Sequence, residues 1–202
     1  MPHTPVPRTV SPSKLSHIVL RTRDNYQAMV EWYQTVLNAE NVGDFAMGYG
    51  AMTLLTYDDE HHRVAILQMP NLADAAPHPS AGVDHIAFTF ADVSDLLHTS
   101  ARLKAAGIEP TVAMNHGATT SIYYLDPDDN RIELLVDNVA TKAEAIQFVH
   151  DTFDINPLGT VFNPEEAYAA LLAGADPSSL SRCLNKDEVR PPEPALLALL
   201  TD

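Results

Sequence analysis

Three residues of this 202-residue chain combine donor atoms and spacing in a way that points to metal chemistry: His17, His85 and Glu133. His17 lies in KLSHIVLRT (14–22) and His85 in GVDHIAFTF (82–90), each an imidazole in an otherwise apolar alternating run, and the two are 68 positions apart. Glu133 lies in NRIELLVD (130–137), where a strand would turn its neighbours Ile132 and Leu134 to the opposite face. A carboxylate there needs a partner, because an unpaired buried charge is very costly. One repeat earlier, the position of Glu133 is held by Ala65. The four equivalent positions are therefore His17, Ala65, His85 and Glu133: two imidazoles, one carboxylate and one blank. Two histidines and a carboxylate with vacant positions form the donor set of non-heme Fe(II) oxygenases. Zn²⁺ with three protein ligands and a water would use the same residues, so the donor set alone leaves the metal open. One histidine in a strand is ordinarily a hydrogen-bonded core residue; ligand-type residues at equivalent positions of a repeat argue for a shared metal.

The elements that must position these residues come from the same repeat. An offset of 68 also pairs Ile18 with Ile86, Asp24 with Asp92, Asp58 with Asp126 and Arg63 with Arg131. It lays MTLLTYDDEHHRVAILQ (52–68) over TSIYYLDPDDNRIELLV (120–136) without a gap. Each copy reads as strand, helix and three strands, with its first and last strands side by side. The expected fold is α+β: two tandem βαβββ modules, 14–70 and 82–137, forming a curved mixed sheet around the metal site. In the first module Asp24 is expected to cap NYQAMVEWYQTVLN, whose buried face holds Met29, Val30, Trp32, Tyr33, Val36 and Leu37. Strands are expected near 43–48, 51–57 and 62–69. In the second, Asp92 caps VSDLLHTSARLKAA, Gly107 ends it, and strands follow near 110–114, 119–125 and 131–137. PNLADAAPHPSAG (70–82) reads as the linker, and residues 1–13 as a flexible, proline-rich arm. From 138 to 202 the pattern becomes a helical extension, TKAEAIQFVHD, PEEAYAALLAG and PEPALLALL, expected to pack on the modules or on a neighbouring chain.

Composition narrows the classes. Twelve Lys and Arg against twenty-seven Asp and Glu give a net charge of −15, with no basic run to follow a phosphate backbone, so nucleic acid is not an expected partner. The 46% hydrophobic content is enough for a real core. With Cys183 alone no internal disulfide forms, and no stretch approaches the roughly 18 apolar residues of a membrane helix; the expected setting is cytosolic. No Gly-rich phosphate loop, HExxH, CxxC or nucleophile elbow is present.

Taken together, residues 14–137 resemble the vicinal oxygen chelate superfamily of paired βαβββ modules, and specifically its one-domain extradiol ring-cleavage dioxygenases. The resemblance implies Fe(II), with Mn(II) as the alternative, held by His17, His85 and Glu133. It places an acid–base histidine of DEHHRVA (59–65) on His62 and leaves His61 to a solvated turn. His116 in NHGATT resembles the histidine that hydrogen-bonds the substrate hydroxyl. Tyr123, ten residues before Glu133, matches the active-site tyrosine, with Tyr124 on the opposite face of its strand. The implied partners are an aromatic diol, such as a substituted catechol or 2,3-dihydroxybiphenyl, and dioxygen. His62 would take the second hydroxyl's proton and later return one so that the O–O bond breaks. His116 and Tyr123 would stabilise charge developing on oxygen. Better-known enzymes of this type carry four modules where this chain has two, which implies a homo-oligomer in place of the missing half. The stretch 153–168 reads as a lid or as a subunit interface, and the sequence leaves both open. Two rivals share the fold. Glyoxalases and epimerase-type metal lyases need a fourth protein ligand where Ala65 stands, and drug-sequestering binding modules need no metal at all. His3, His78, His98 and His150 lie in arm, linker or helix contexts and receive no role.

Overall fold

A computed structural model describes residues 11–73 and 81–192. Residues 1–10 of the arm, 74–80 of the linker and 193–202, which take in most of the last expected helix, lie outside the described residues. The chain divides into two compact units, 1–72 and 73–202.

In the first unit the order is β1 (Ile18–Thr22), α1 (Tyr26–Leu37), β2 (Glu40–Met47), β3 (Gly50–Thr56) and β4 (Val64–Gln68). The sheet order is β1-β4-β3-β2, with β1 parallel to β4 and the remaining pairs antiparallel. The first and last strands of the module are therefore neighbours, as the repeat implied. Helix α1 buries Met29, Val30, Trp32, Tyr33 and Val36, the apolar stripe of its 3.6-residue period. Its start differs from expectation. Asn25 holds the N-cap position without a side-chain bond to the helix, while the Asp24 carboxylate accepts from Arg23 Nε at 2.7 Å. A charged donor one residue away competes successfully with the helix amides for that carboxylate.

The second unit repeats the pattern with β5 (His85–Thr89), α2 (Val93–Ala105), β6 (Val112–Asn115), β7 (Thr119–Leu125) and β8 (Arg131–Asp137). Here Asp92 does cap its helix, accepting from Asp95 N, and Gly107 follows the C-cap at φ +78°. Leu96, Leu97, Leu103, Ile122, Tyr124, Ile132 and Leu134 form its dry centre, all fully buried. The extension beyond 137 contributes α3 (Lys142–Thr152), with a Thr141/Glu144 capping box, then β9 (Thr160–Val161), α4 (Pro164–Leu172) and α5 (Pro177–Leu180). It is thus not wholly helical. Strand β9 pairs antiparallel with β6, giving a five-stranded sheet in the order β5-β8-β7-β6-β9.

The two modules agree in register along their parallel pair. Ile18 opposes Val64 as Ile86 opposes Ile132, and Val19 opposes Ala65 as Ala87 opposes Glu133. The gap-free offset slips by one at β3, where Leu54 faces Ala65 whereas Tyr123 faces Glu133. Burial follows the structure, with Leu55 and Tyr124 both at 0% exposure as the inward-turned next residues. Tyr123 is therefore the counterpart of Leu54. The slip is absorbed in the β3–β4 connection, residues 57–63, which is longer than the β7–β8 connection at 126–130.

Candidate active site

Glu133 is the centre of the second unit's polar cluster. Strand β8 is flanked by β5 and β7, which places Ala87 on one side of Glu133 and Tyr123 on the other. The carboxylate is 6% exposed. Its Oε1 accepts from the Tyr123 hydroxyl at 2.8 Å, and its Oε2 lies 3.1 Å from His85 Nε2. His116 Nε2 meets the same tyrosine hydroxyl at 3.0 Å, and His116 Nδ1 contacts the Leu158 carbonyl at 2.5 Å. The four residues form one continuous polar chain, His85–Glu133–Tyr123–His116. Tyr124 turns away, as expected, to donate to Ser100 on α2. Burial, and then the Glu133 charge, push the Tyr123 phenol well above its ordinary pKa, so it stays protonated and serves as a donor.

His85 is oriented from behind. Its Nδ1 lies 2.7 Å from an Asp84 carboxylate oxygen, so carboxylates face both ring nitrogens; with a cation taking Nε2, Asp84 would hold the remaining ring proton on Nδ1. That leaves Nε2 facing Glu133. Carboxylate-backed imidazoles of this kind are the usual support of metal-ligating histidines. The 3.1 Å between His85 Nε2 and Glu133 Oε2 is close to the roughly 3.0 Å that separates two donors each about 2.1 Å from one cation at a right angle. The donor pair fits a divalent cation in both chemistry and spacing.

In the first unit His17 immediately precedes β1, and Arg63 fixes its approach. The Arg63 guanidinium donates from Nη1 to the carbonyls of Leu15 and Ser16, both at 3.0 Å, and pairs with Asp58 at 2.8 Å. His62 lies beside His17, with ring centroids 4.3 Å apart, and its Nδ1 is 2.6 Å from that of the exposed His61. Partial burial, followed by repulsion from His17 and His61, lowers the His62 pKa below the ordinary histidine value, with Glu60 opposing. Near neutral pH His62 is therefore an uncharged base.

The candidate residues thus fall into two groups: His85, Glu133, Tyr123 and His116 in the second unit, and His17 with His62 in the first. Among the described residues no set of three or more His, Cys, Asp or Glu side chains is gathered as a metal-holding group. Sequence reasoning missed Asp84, Leu158 and the role of Arg63. The pairing of Arg63 with Arg131 at the repeat offset was the available signal for the last of these. A lone backbone carbonyl, such as that of Leu158, has none.

Paired βαβββ modules carrying this polar cluster define the class, and the chain belongs to the glyoxalase/bleomycin resistance protein/dioxygenase superfamily, whose family model matches residues 14–134. Among characterised proteins it is similar to biphenyl-2,3-diol 1,2-dioxygenase 2 of Rhodococcus globerulus, 43% identical over 80% of this chain and 83% of the relative. Biphenyl-2,3-diol 1,2-dioxygenase 3 of the same organism is 41% identical over 86% of this chain and 89% of the relative. In structure the chain resembles a glyoxylase/bleomycin resistance protein/dioxygenase domain from Frankia sp. EAN1pec, with a TM-score of 0.57 at 19% identity, covering 65% of this chain and 96% of that one.

Proposed function

We propose that this protein is an extradiol ring-cleavage dioxygenase that opens a catechol-type aromatic diol beside its hydroxyls, using Fe(II), or Mn(II) in its place, held by His17, His85 and Glu133. The observation that carries the reading is the chain His85–Glu133–Tyr123–His116, which sets a carboxylate–imidazole donor pair next to a phenol and a second imidazole. Two relatives above 40% identity across most of the chain act on a biphenyl-2,3-diol, in keeping with the same substrate class. Bound to this donor set, the metal would supply the Lewis acid for the diol and the electronic partner for dioxygen.

The chain's own residues then have distinct tasks. Asp84 keeps the His85 proton on Nδ1 and so frees Nε2 as a donor atom. Tyr123, held protonated, gives a hydrogen bond wherever negative charge grows near Glu133. His62, with its lowered pKa, takes a proton from a diol hydroxyl and returns one as the O–O bond breaks. Both oxygen atoms end in the ring-opened product. Ala65 is buried with Leu54 opposite, which gives the first module no fourth ligand of the kind a metal lyase requires.

The test is oxygen uptake by anaerobically prepared protein loaded with Fe²⁺, given catechol and 2,3-dihydroxybiphenyl, with the yellow ring-opened product followed by absorbance. His85→Ala is expected to lose bound iron and turnover together, with iron measured by elemental analysis. Iron bound without consumption of any diol in a broad panel would overturn the dioxygenase reading. Full iron retention in His85→Ala would overturn the ligand set. We also read the protein as a cytosolic homo-oligomer, to be checked by light scattering. No described helix is long and apolar enough to cross a membrane.

A further inference from the structure

We propose that the C-terminal extension is a working part of the active site. In this reading the Leu158 carbonyl, held in place by Asn156 and Gly159, fixes the Nδ1–H tautomer of His116 and presents its Nε2 to Tyr123 and the substrate. The inference rests on the reading of His116 and Tyr123 as active-site residues and goes beyond it by assigning positioning residues from outside the paired modules.

His116 sits in the turn after β6, closed by its backbone N–H donating to Thr119 O at 2.8 Å. A carbonyl oxygen only accepts, so the 2.5 Å contact between His116 Nδ1 and Leu158 O requires the proton on Nδ1. Neutral imidazole in water prefers its proton on Nε2, so this contact reverses the default. The Nε2 lone pair then faces the Tyr123 hydroxyl, 3.0 Å away, and accepts from it when the phenol proton turns from Glu133 to His116. Tyr123 has one proton and two neighbours for it, Glu133 at 2.8 Å and His116. A neutral His116 in this tautomer accepts from a hydroxyl at Nε2. Once Nε2 gains a proton it donates to the tyrosine oxygen, and the phenol proton is committed to Glu133. With the default tautomer Nε2 would be a donor from the outset, and His116 would have nothing to accept with at that point.

The carbonyl is held firmly. Asn156, 8% exposed, accepts at Oδ1 from the N–H groups of Leu158 (3.0 Å) and Gly159 (2.9 Å), and donates from Nδ2 to the carbonyls of Gly159 and Arg190, both at 2.8 Å. Four bonds from one buried amide fix the backbone on both sides of the Leu158 carbonyl. Gly159 has φ +93°, and a Cβ there would stand 2.2 Å from Asn115 O and 2.7 Å from His116 Cα. Only glycine allows the extension to come this close to the His116 turn. Strand β9 continues the contact by opposing Thr160 to Asn115, and Asn115 Nδ2 donates onward to Arg182 O at 3.1 Å. A staple joining the extension to the sheet would need His116 Nδ1 alone. Here the other nitrogen of the same ring reaches the phenol bonded to Glu133, which links the staple to the site.

The decisive measurement is the ¹⁵N long-range correlation spectrum of the full-length protein labelled at histidine, taken where the rings are neutral. Wild type is expected to show His116 as the Nδ1–H tautomer. Asn156→Ala and Gly159→Ala are expected to move it toward Nε2–H and to lower kcat at least tenfold with KM nearly unchanged. Tyr168→Phe, a change elsewhere in the extension, is expected to alter neither. An Nε2–H wild-type spectrum overturns the proposal and needs no variant to fold. An active wild type whose Asn156→Ala variant keeps both tautomer and kcat overturns it equally. Absence of diol cleavage by iron-loaded wild type is a separate outcome, which removes the dioxygenase reading on which the proposal rests.

Discussion

The Tyr123 hydroxyl lies between two partners, Glu133 at 2.8 Å and His116 at 3.0 Å, and its single proton is a point where the site can be tested without removing a metal ligand. Tyr123→Phe keeps the ring and its place on the sheet. It deletes the donor to a buried carboxylate and the hydroxyl that meets His116 Nε2. Loss of one such preorganised donor costs roughly a hundredfold to a thousandfold in turnover, so kcat is expected to fall by about that much, with bound iron unchanged because no ligand is lost. Oxygen-uptake kinetics paired with elemental analysis check both halves of the statement. Loss of iron in step with kcat would make Tyr123 a support for the metal rather than a participant. Glu133 itself was legible in the sequence because a carboxylate inside an apolar strand demands a partner. The tasks of Tyr123, His116 and His62 came only through family resemblance, since each is, taken singly, an ordinary packing or surface residue.

Modules built from one unit need not be chemically equal, and the difference here lies in two facing positions. The second module opposes Tyr123 to Glu133, and the first opposes Leu54 to Ala65. Ala65→Glu would therefore bury a carboxylate with an apolar residue opposite. A buried charge without its partners costs up to about 3–5 kcal/mol, and with only His17, the counterpart of His85, on that side, denaturant unfolding is expected to show a loss within that limit. Adding Leu54→Tyr supplies the facing hydroxyl and is expected to recover part of the loss, as a coupling of about 0.5–3 kcal/mol in the double-mutant cycle. Simple additivity of the two changes would mean that the pair does not meet across the strands. The repeat disclosed the parallel β1–β4 and β5–β8 pairs because alternation and identities persisted through those strands. It hid the slip at β3 because the extra residue lies in a polar turn, where no apolar pattern marks the register. Asp24 failed as a cap for a related reason: Arg23 competes for its carboxylate, and residue type at the helix start does not reveal that competition. Strand β9 was illegible because two residues, Thr160 and Val161, are too short to show a period.

Beyond the modules, the loops of the extension brace the second unit through a bracket centred on Glu188. Its carboxylate accepts from Arg182 Nη1 and Nη2 at 2.7 and 2.6 Å, and from the Asn185 backbone and side-chain nitrogens at 2.8 and 3.0 Å. The same stretch supplies the Arg182 carbonyl to Asn115 and the Arg190 carbonyl to Asn156, the two asparagines that flank the His116–Leu158 contact. The Arg182 guanidinium, and after it the Asn185 amide, hold the Glu188 carboxyl down at about 2, against an ordinary 4.5. Because the folded value lies below the unfolded one, the contribution of Glu188 is complete above about pH 4.5 and disappears as the pH falls toward 2. Hydrogen exchange over residues 181–190, corrected for the intrinsic rate, should therefore rise in wild type across that window. Glu188→Gln removes the charge at every pH, so its exchange should already be raised at pH 6 and stay nearly flat down to pH 2.5. Asp44, Asp58 and Glu60, which hydrogen bonds also hold low, belong to the first unit, so their titration does not act through this bracket. If Glu188→Gln is as protected as wild type at pH 6, the bracket is held by its backbone turns alone, and the charge of Glu188 has no part in keeping the extension on the His116 turn.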